Sequence, residues 1–150
     1  MPEIEVRRSD IHGTGVFAKE DIQQGTRIIE YLGEKVSTDE GQRRQEAQSA
    51  SDSIFFFELD EETYLDGDVP GNDARFTNHS CDPNCESEVE SGQIWIVALK
   101  AIQKGEELTF DYGFDAEFLG EYPCRCAAKN CVGYIIGKEH RDNILLPRAE

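Results

Sequence analysis

The run Arg75-Phe76-Thr77-Asn78-His79-Ser80-Cys81-Asp82-Pro83-Asn84-Cys85 crowds amide, imidazole, hydroxyl and thiol side chains into one window closed by turn formers. Asn and His each offer donors and acceptors, and Asp-Pro-Asn favours a chain reversal over a helix or a central strand. The window therefore reads as a loop that carries a site. Downstream lie Glu107-Leu108-Thr109-Phe110-Asp111-Tyr112-Gly113 and Cys124-Arg125-Cys126-Ala127-Ala128-Lys129-Asn130-Cys131; upstream lie His12-Gly13-Thr14-Gly15-Val16-Phe17 and Ile29-Glu30-Tyr31-Leu32-Gly33-Glu34.

Between these windows, short apolar segments rich in β-branched and aromatic residues recur at Gly15 to Ala18, Arg27 to Leu32, Ile54 to Leu59, Ile94 to Leu99 and Leu108 to Tyr112. Each has strand length and composition. Gly25, Gly67, Gly71, Gly92 and Gly105 punctuate them, so the expectation is a mostly β fold of short strands with tight reversals. The polar stretch Ser37 to Ser53 has Asp39 and Glu40 early and Arg43 and Arg44 later. That order suits a solvent-facing helix capped by Ser37 or Thr38, a peripheral insert.

A chain of 150 residues loses about 70% of its unfolded surface on folding, enough for one sizeable core. Its 31 acidic against 15 basic residues leave a formal charge of -16. Such a field repels phosphate backbones and anionic membranes and draws in cationic polypeptides. No direct nucleic-acid binding is expected. No apolar run approaches the ~20 residues of a membrane span, and Met1-Pro2-Glu3-Ile4-Glu5 has neither the basic nor the apolar region of a secretory signal. The expectation is a soluble, intracellular protein without a membrane segment.

Five cysteines are an odd number, and three of them form Cys-x-Cys-x4-Cys. In a reducing compartment this spacing favours metal ligation over disulfides, with zinc the first candidate. Three thiolates leave a structural tetrahedron one ligand short. From Pro123 onward long apolar residues are few, so this tail depends on a metal for order.

Taken together, these windows resemble the SET family of protein-lysine methyltransferases, from about His12 to Tyr134 and in the family's order. Arg75 to Asn84 matches the signature Arg-Phe-x-Asn-His-Ser-Cys-x-Pro-Asn at every specified position. The resemblance implies a SET-domain (β-clip) fold of several small sheets with knot-like C-terminal threading. It also implies a SET domain over 1–113, with the polar insert at about 37–53, and a zinc-binding post-SET tail over 114–150.

The resemblance also assigns roles. Gly13-Thr14-Gly15, after His12, matches the turn that holds the methionine part of S-adenosylmethionine, with Thr14 where an aromatic residue is common. Phe55 stands where a tyrosine usually contacts the cofactor. Asn78 and His79 fall at the adenosine moiety, with Arg75 and Phe76 supporting the pocket and Tyr134 as a lid aromatic. Tyr31 lines the lysine channel and Tyr112 is the catalytic tyrosine. Phe110, two residues before Tyr112 on the same strand face by the two-residue period, is the product-setting position, and phenylalanine there implies di- or trimethylation. Cys81 becomes the fourth zinc ligand beside Cys124, Cys126 and Cys131, and Cys85 is left as a buried thiol.

The chemistry agrees with a tyrosine at 112. Methyl transfer from sulfonium to nitrogen is an in-line displacement, so a lysine of free pKa ~10.4 must arrive neutral and collinear. The leading expectation is a SAM-dependent lysine N-methyltransferase acting on a basic protein or peptide, a histone tail first, in the nucleus or on chromatin if eukaryotic and otherwise in the cytoplasm. Methylation of a ribosomal or other non-histone protein and a silent SET-like peptide-binding module are the alternatives. A thiol redox protein lacks Cys-x-x-Cys beside a βαβ pattern.

Overall fold

The computed structural model describes residues 2–47, 56–113 and 123–145. Among these are ten short strands and two helices: β1 (Ile4–Arg8), β2 (Thr14–Ala18), β3 (Arg27–Tyr31), β4 (Glu34–Ser37), α1 (Thr38–Glu46), β5 (Phe56–Glu58), β6 (Thr63–Asp66), β7 (Asn78–His79), β8 (Cys85–Glu90), β9 (Gln93–Ala98), β10 (Glu107–Phe110) and α2 (Lys138–Leu145). They form three small sheets, ordered β1-β2-β10-β7, β3-β9-β8 and β4-β6-β5. The mostly β expectation and its several small sheets hold.

The five expected strands form within a residue or two of their expected ends wherever they are described. The largest of these differences is at the C-terminal end of Leu108 to Tyr112, since β10 stops at Phe110. β1, β4 and β8 went unread because their solvent faces are charged, as in Glu5, Arg7, Lys35, Glu86, Glu88 and Glu90, and β6 because it is only four residues long. Alternation diluted by charge gives little apolar signal. The turn from β8 to β9 has only Ser91 and Gly92, at φ 52° and 79°, the left-handed pair of a type I′ hairpin.

Helix α1 follows expectation. Ser37 caps it by accepting from the Glu40 amide at 3.2 Å, and Asp39, Glu40 and then Arg43, Arg44 complement the dipole. It seats closely on β6 because Gly41 lacks a Cβ, which would collide with the Tyr64 ring. The helix ends at Glu46, short of the expected Ser53, and 48–55 lie outside the described residues. The expected strand start at Ile54 falls there too.

Val16, Ile28, Ile94, Ile96, Ile102 and Leu108, each at most 1% exposed, make the centre of one core. β10 runs through it, antiparallel to β2 at Leu108↔Val16 and parallel to β7 at Thr109↔Asn78 and Phe110↔His79. Two windows far apart in sequence thereby become neighbours. Asn84 extends this contact beyond the strands: its Nδ2 donates to the Glu107 carbonyl at 2.8 Å and its Oδ1 accepts from the Thr109 amide at 2.9 Å. One side chain thus supplies the donor and acceptor of a missing strand partner.

The tail is less of an appendage than its composition implied. Ile136 and Arg141 are buried to 0% and 1% exposure, so α2 docks on the body. Charge and helix-breaking neighbours hid this helix from the sequence reading.

Candidate active site

The site grows from the pairing of β7 with β10. Just past β10, the Tyr112 amide donates to His79 Nδ1 at 3.0 Å, and the Tyr112 hydroxyl donates to the Thr77 carbonyl at 2.7 Å. Amide and phenol of one residue are thus fixed by two residues of the 75–85 run. Burial holds the His79 imidazole down at about 4, against the upward pull of Asp111. Its ring is therefore neutral, and because Nδ1 accepts, the proton sits on Nε2, 3.5 Å from Cys81 Sγ. Burial pushes the Tyr112 phenol well above its ordinary value, so it stays protonated at neutral pH.

A run of aromatic rings leads away from Tyr112. Its centroid lies 4.9 Å from Phe110, Phe110 lies 5.7 Å from Phe57, and Phe57 lies 4.6 Å from Tyr31. The Phe110 and Tyr112 rings are in contact, although the strand ends between them at Phe110. Burial raises the Tyr31 phenol strongly, with Tyr112 and Asp66 adding to it. Gly67 faces Tyr31 so closely that a Cβ would strike the ring and hydroxyl. That approach is fixed by Asn72, which donates to the Gly67 carbonyl and accepts from the Leu32 amide, both at 2.9 Å. Sequence reasoning singled out neither Phe57 nor Asn72. For Phe57 a signal was present in the sequence, since it stands in the aromatic run Phe55-Phe56-Phe57. Phe55 itself lies outside the described residues.

The glycine turn has two different glycines. Gly13 has φ 42° and open space where a Cβ would project, and His12, Gly13 and Thr14 are exposed. Gly15 is buried: a Cβ there would lie 2.5 Å from Glu107 Oε2 and 2.9 Å from Ser9 Cβ. Into that space fits a polar knot. Ser9 Oγ donates to the Glu107 carboxylate at 2.8 and 2.9 Å. Asn78 Nδ2 lies 2.9 Å from Glu107 Oε2, 3.2 Å from Ser9 Oγ, and 3.1 and 3.2 Å from the His12 and Thr14 carbonyls. Asn78 Nδ2 and the His79 ring nitrogens thus have protein partners, which hold turn, β7 and β10 together. Ser9 and Glu107 were missed as site residues because a serine and a surface-type glutamate carry no signal until the fold buries them side by side.

Arg75 and Phe76 sit on the 3₁₀ turn Asp73–Phe76. The Arg75 guanidinium lies 4.8 Å from the Phe76 ring centroid and reaches Asp68 at 3.1 Å. Tyr134 is 39% exposed, and its backbone bridges that of Pro123.

Cys81, Cys124, Cys126 and Cys131 come together, with their four sulfurs all within 4.8 Å of one another. Tetrahedral zinc with Zn–S of about 2.3 Å needs sulfurs about 3.8 Å apart, so the cluster could hold a metal ion. Burial raises Cys81 strongly. It also raises Cys126, but there the Cys81 and Ala128 amides and neighbouring thiols outweigh it and bring the thiol to about 7. Cys85 stays apart from the cluster, fully buried in the core, its thiol pushed up to about 12 by burial.

No helix among the described residues is long and apolar enough to cross a membrane. The SET domain family model matches residues 13–113, a span that begins at the glycine turn and ends one residue past Tyr112. The chain is 42% identical over 130 residues to "Histone-lysine N-methyltransferase trr" of Drosophila melanogaster, covering 83% of this chain and 5% of that protein. It is 40% identical over 136 residues to "Histone-lysine N-methyltransferase, H3 lysine-4 specific" of Aspergillus oryzae, covering 85% and 11%. With "Histone-lysine N-methyltransferase trithorax" of Drosophila virilis it shares 42% identity over 135 residues, covering 87% and 4%. The chain spans only about a ninth or less of the length of these relatives. With the model match covering more than half of its length, the chain belongs to the SET domain family.

Proposed function

We propose that this chain is an S-adenosylmethionine-dependent protein-lysine N-methyltransferase that adds two or three methyl groups to a lysine of a histone tail. The observation that carries this reading is the double fixing of Tyr112, amide to His79 and hydroxyl to Thr77, at the end of the aromatic run through Phe110, Phe57 and Tyr31. Such a run can wall a lysine side chain on all its methylenes and leave the nitrogen beside a phenol. The Drosophila and Aspergillus relatives carry histone-lysine methyltransferase names, and a net charge of -16 favours arrival of a cationic tail.

For the cofactor, the residues fit. The exposed turn His12-Gly13-Thr14 borders open space, and Asn78 and His79 fix the backbone beside it; Gly15, Arg75, Phe76 and Tyr134 complete the assignment, with Phe55 added from sequence alone. When bound, S-adenosylmethionine supplies a methyl group on a sulfonium, whose positive charge favours an uncharged amine nearby. Tyr112 aligns that amine rather than acting as a base, because a buried phenol whose proton is donated to a carbonyl has little tendency to ionise. Tyr31 and Phe110 exclude water and hold the alkyl stem. Alignment of this kind is worth several kcal/mol of barrier.

The four-thiol cluster is assigned to zinc, which would join the tail 114–150 to the unit 1–113 through Cys81. A nuclear location follows from a histone substrate. The test is incubation with S-adenosylmethionine, histones and total cellular protein, read by mass spectrometry, with Tyr112→Phe alongside. Methyl additions of 14-Da spacing on histone lysines, reduced about 100-fold or more in the variant, are expected. Labelling confined to other proteins would replace the substrate, and no labelling anywhere would return the chain to a peptide-binding module.

A further inference from the structure

Arg141 of α2 is 1% exposed and belongs to none of the windows that carry the site. Its Nη1 donates to the Ile136 carbonyl at 2.9 Å, and its Nη2 reaches the Cys81 carbonyl at 3.2 Å and Asp111 Oδ2 at 3.4 Å. The same Asp111 oxygen accepts the Lys138 amide at the start of α2 at 3.0 Å, while Asp111 Oδ1 accepts the Gly113 amide at 2.8 Å. Asn130, within the cysteine cluster, donates to the Cys81 carbonyl at 2.8 Å.

These contacts converge on one bond. Asp111 directly precedes Tyr112, and Cys81 follows His79 by two residues, so a single guanidinium grips the chain on both sides of the Tyr112–His79 hydrogen bond. A rigid planar fork suits this better than a flexible ammonium, because it meets two acceptors at fixed angles. A buried cation also tolerates no loose arrangement: without its anionic partner it would be left uncompensated. Asp111 is pinned in turn by both the guanidinium and the N-terminal end of α2, whose dipole favours a carboxylate there.

We propose that Arg141 is a positioning residue for the methyl-transfer reaction: it couples α2 to the Asp111–Gly113 segment and so holds Tyr112 in register with the lysine channel. The inference rests on the reading of Tyr112 as the residue at the reacting centre. It makes α2, beyond the last cysteine, part of the working site, and it makes docking of the tail a requirement for turnover and not only for metal retention.

The experiment compares Arg141→Met, Arg141→Lys, Asp111→Asn and Arg141→Met/Asp111→Asn, each with its metal content, kcat, KM and amide hydrogen exchange measured. In Arg141→Met the metal per chain, KM and protection of β3 and β9 stay at parent values. Its kcat falls about 30-fold, and exchange at the Tyr112 amide quickens about tenfold or more. Arg141→Lys recovers part of both effects, and the double variant is no worse than the poorer single one, as expected of two residues acting in series. Unchanged Tyr112 exchange, unchanged kcat, or a kcat loss that tracks metal loss and is restored by added metal would each overturn the proposal. If Arg141→Met loses protection throughout, Arg141→Lys and Asp111→Asn decide by the same readouts. Should the parent transfer no methyl group to any protein, the assigned function fails, and the exchange at Tyr112 still judges the clasp.

Discussion

The Tyr112 amide donates to His79 Nδ1 across 3.0 Å, and this bond dictates which nitrogen of a buried, neutral imidazole carries the proton. Its partner atom Nε2 then faces Cys81, so the aromatic end of the site and the cysteine cluster share one ring. His79→Ala removes the acceptor of a half-buried amide and the ring packed edge-on to Tyr112 at 5.3 Å. The expected cost is about 1–3 kcal/mol of stability, seen as a lower urea midpoint, with kcat at least about tenfold down. A variant with parent stability and turnover would show that the ring does not hold Tyr112.

Phe110 is 3% exposed and contacts both Phe57 and Tyr112. Phe110→Tyr places a hydroxyl in this wall, at a cost of about 1–3 kcal/mol if it finds no partner. The reaction is expected to stop at the first methyl group. Mass spectra of product peptides over a time course are the check, and di- and trimethyl products accumulating at the parent's rate would refute the assignment of Phe110.

The two glycines of the turn should respond differently. Gly15→Ala pushes a methyl group against the Glu107 carboxylate and Ser9, for an expected loss of about 1–3 kcal/mol. Adding Glu107→Ala should recover part of it, a non-additivity expected of residues in contact. Gly13→Ala meets no atom within 4 Å but must adopt φ 42°, a backbone strain of about 1–2 kcal/mol that Glu107→Ala will not relieve. Urea unfolding of the parent, Gly13→Ala, Gly15→Ala, Glu107→Ala and the two double variants separates the cases.

Chelator treatment at neutral pH should release one metal ion and open four thiols to alkylation, with Cys85 remaining protected in the core. Five modified thiols in the folded, chelated protein would contradict this packing. Cys85 has a second signature. Its folded value of about 12 lies above the ordinary 9.0, so between those values the unfolded chain has given up a proton that the native chain still holds. Stability therefore falls as pH rises through that window. The decline should be shallower in Cys85→Ala, by unfolding midpoints measured at pH 8 and above 10.

Much of the site was legible before any coordinates. Asn78, His79, Tyr112 and the cysteines stand in compact windows, and short β-branched segments between glycine turns determine a mostly β chain because local sterics and the two-residue period act over a few residues. Charge on the exposed faces of β1, β4 and β8 masked that period, and α2 followed a cysteine-rich stretch that suggested no core contact.

Tertiary structure alone decided what the polar side chains do. The resemblance places Asn78 and His79 at the adenosine moiety, and the fold adds that their side-chain nitrogens are bonded within the protein. Ser9, Glu107, Asp111 and Arg141 acquired roles only when strands distant in sequence were laid side by side. The physical reason is burial: a carboxylate or guanidinium that is unremarkable in water must find matched partners once desolvated, and which partners lie within reach depends on the pairing of β7 with β10, which no local pattern encodes.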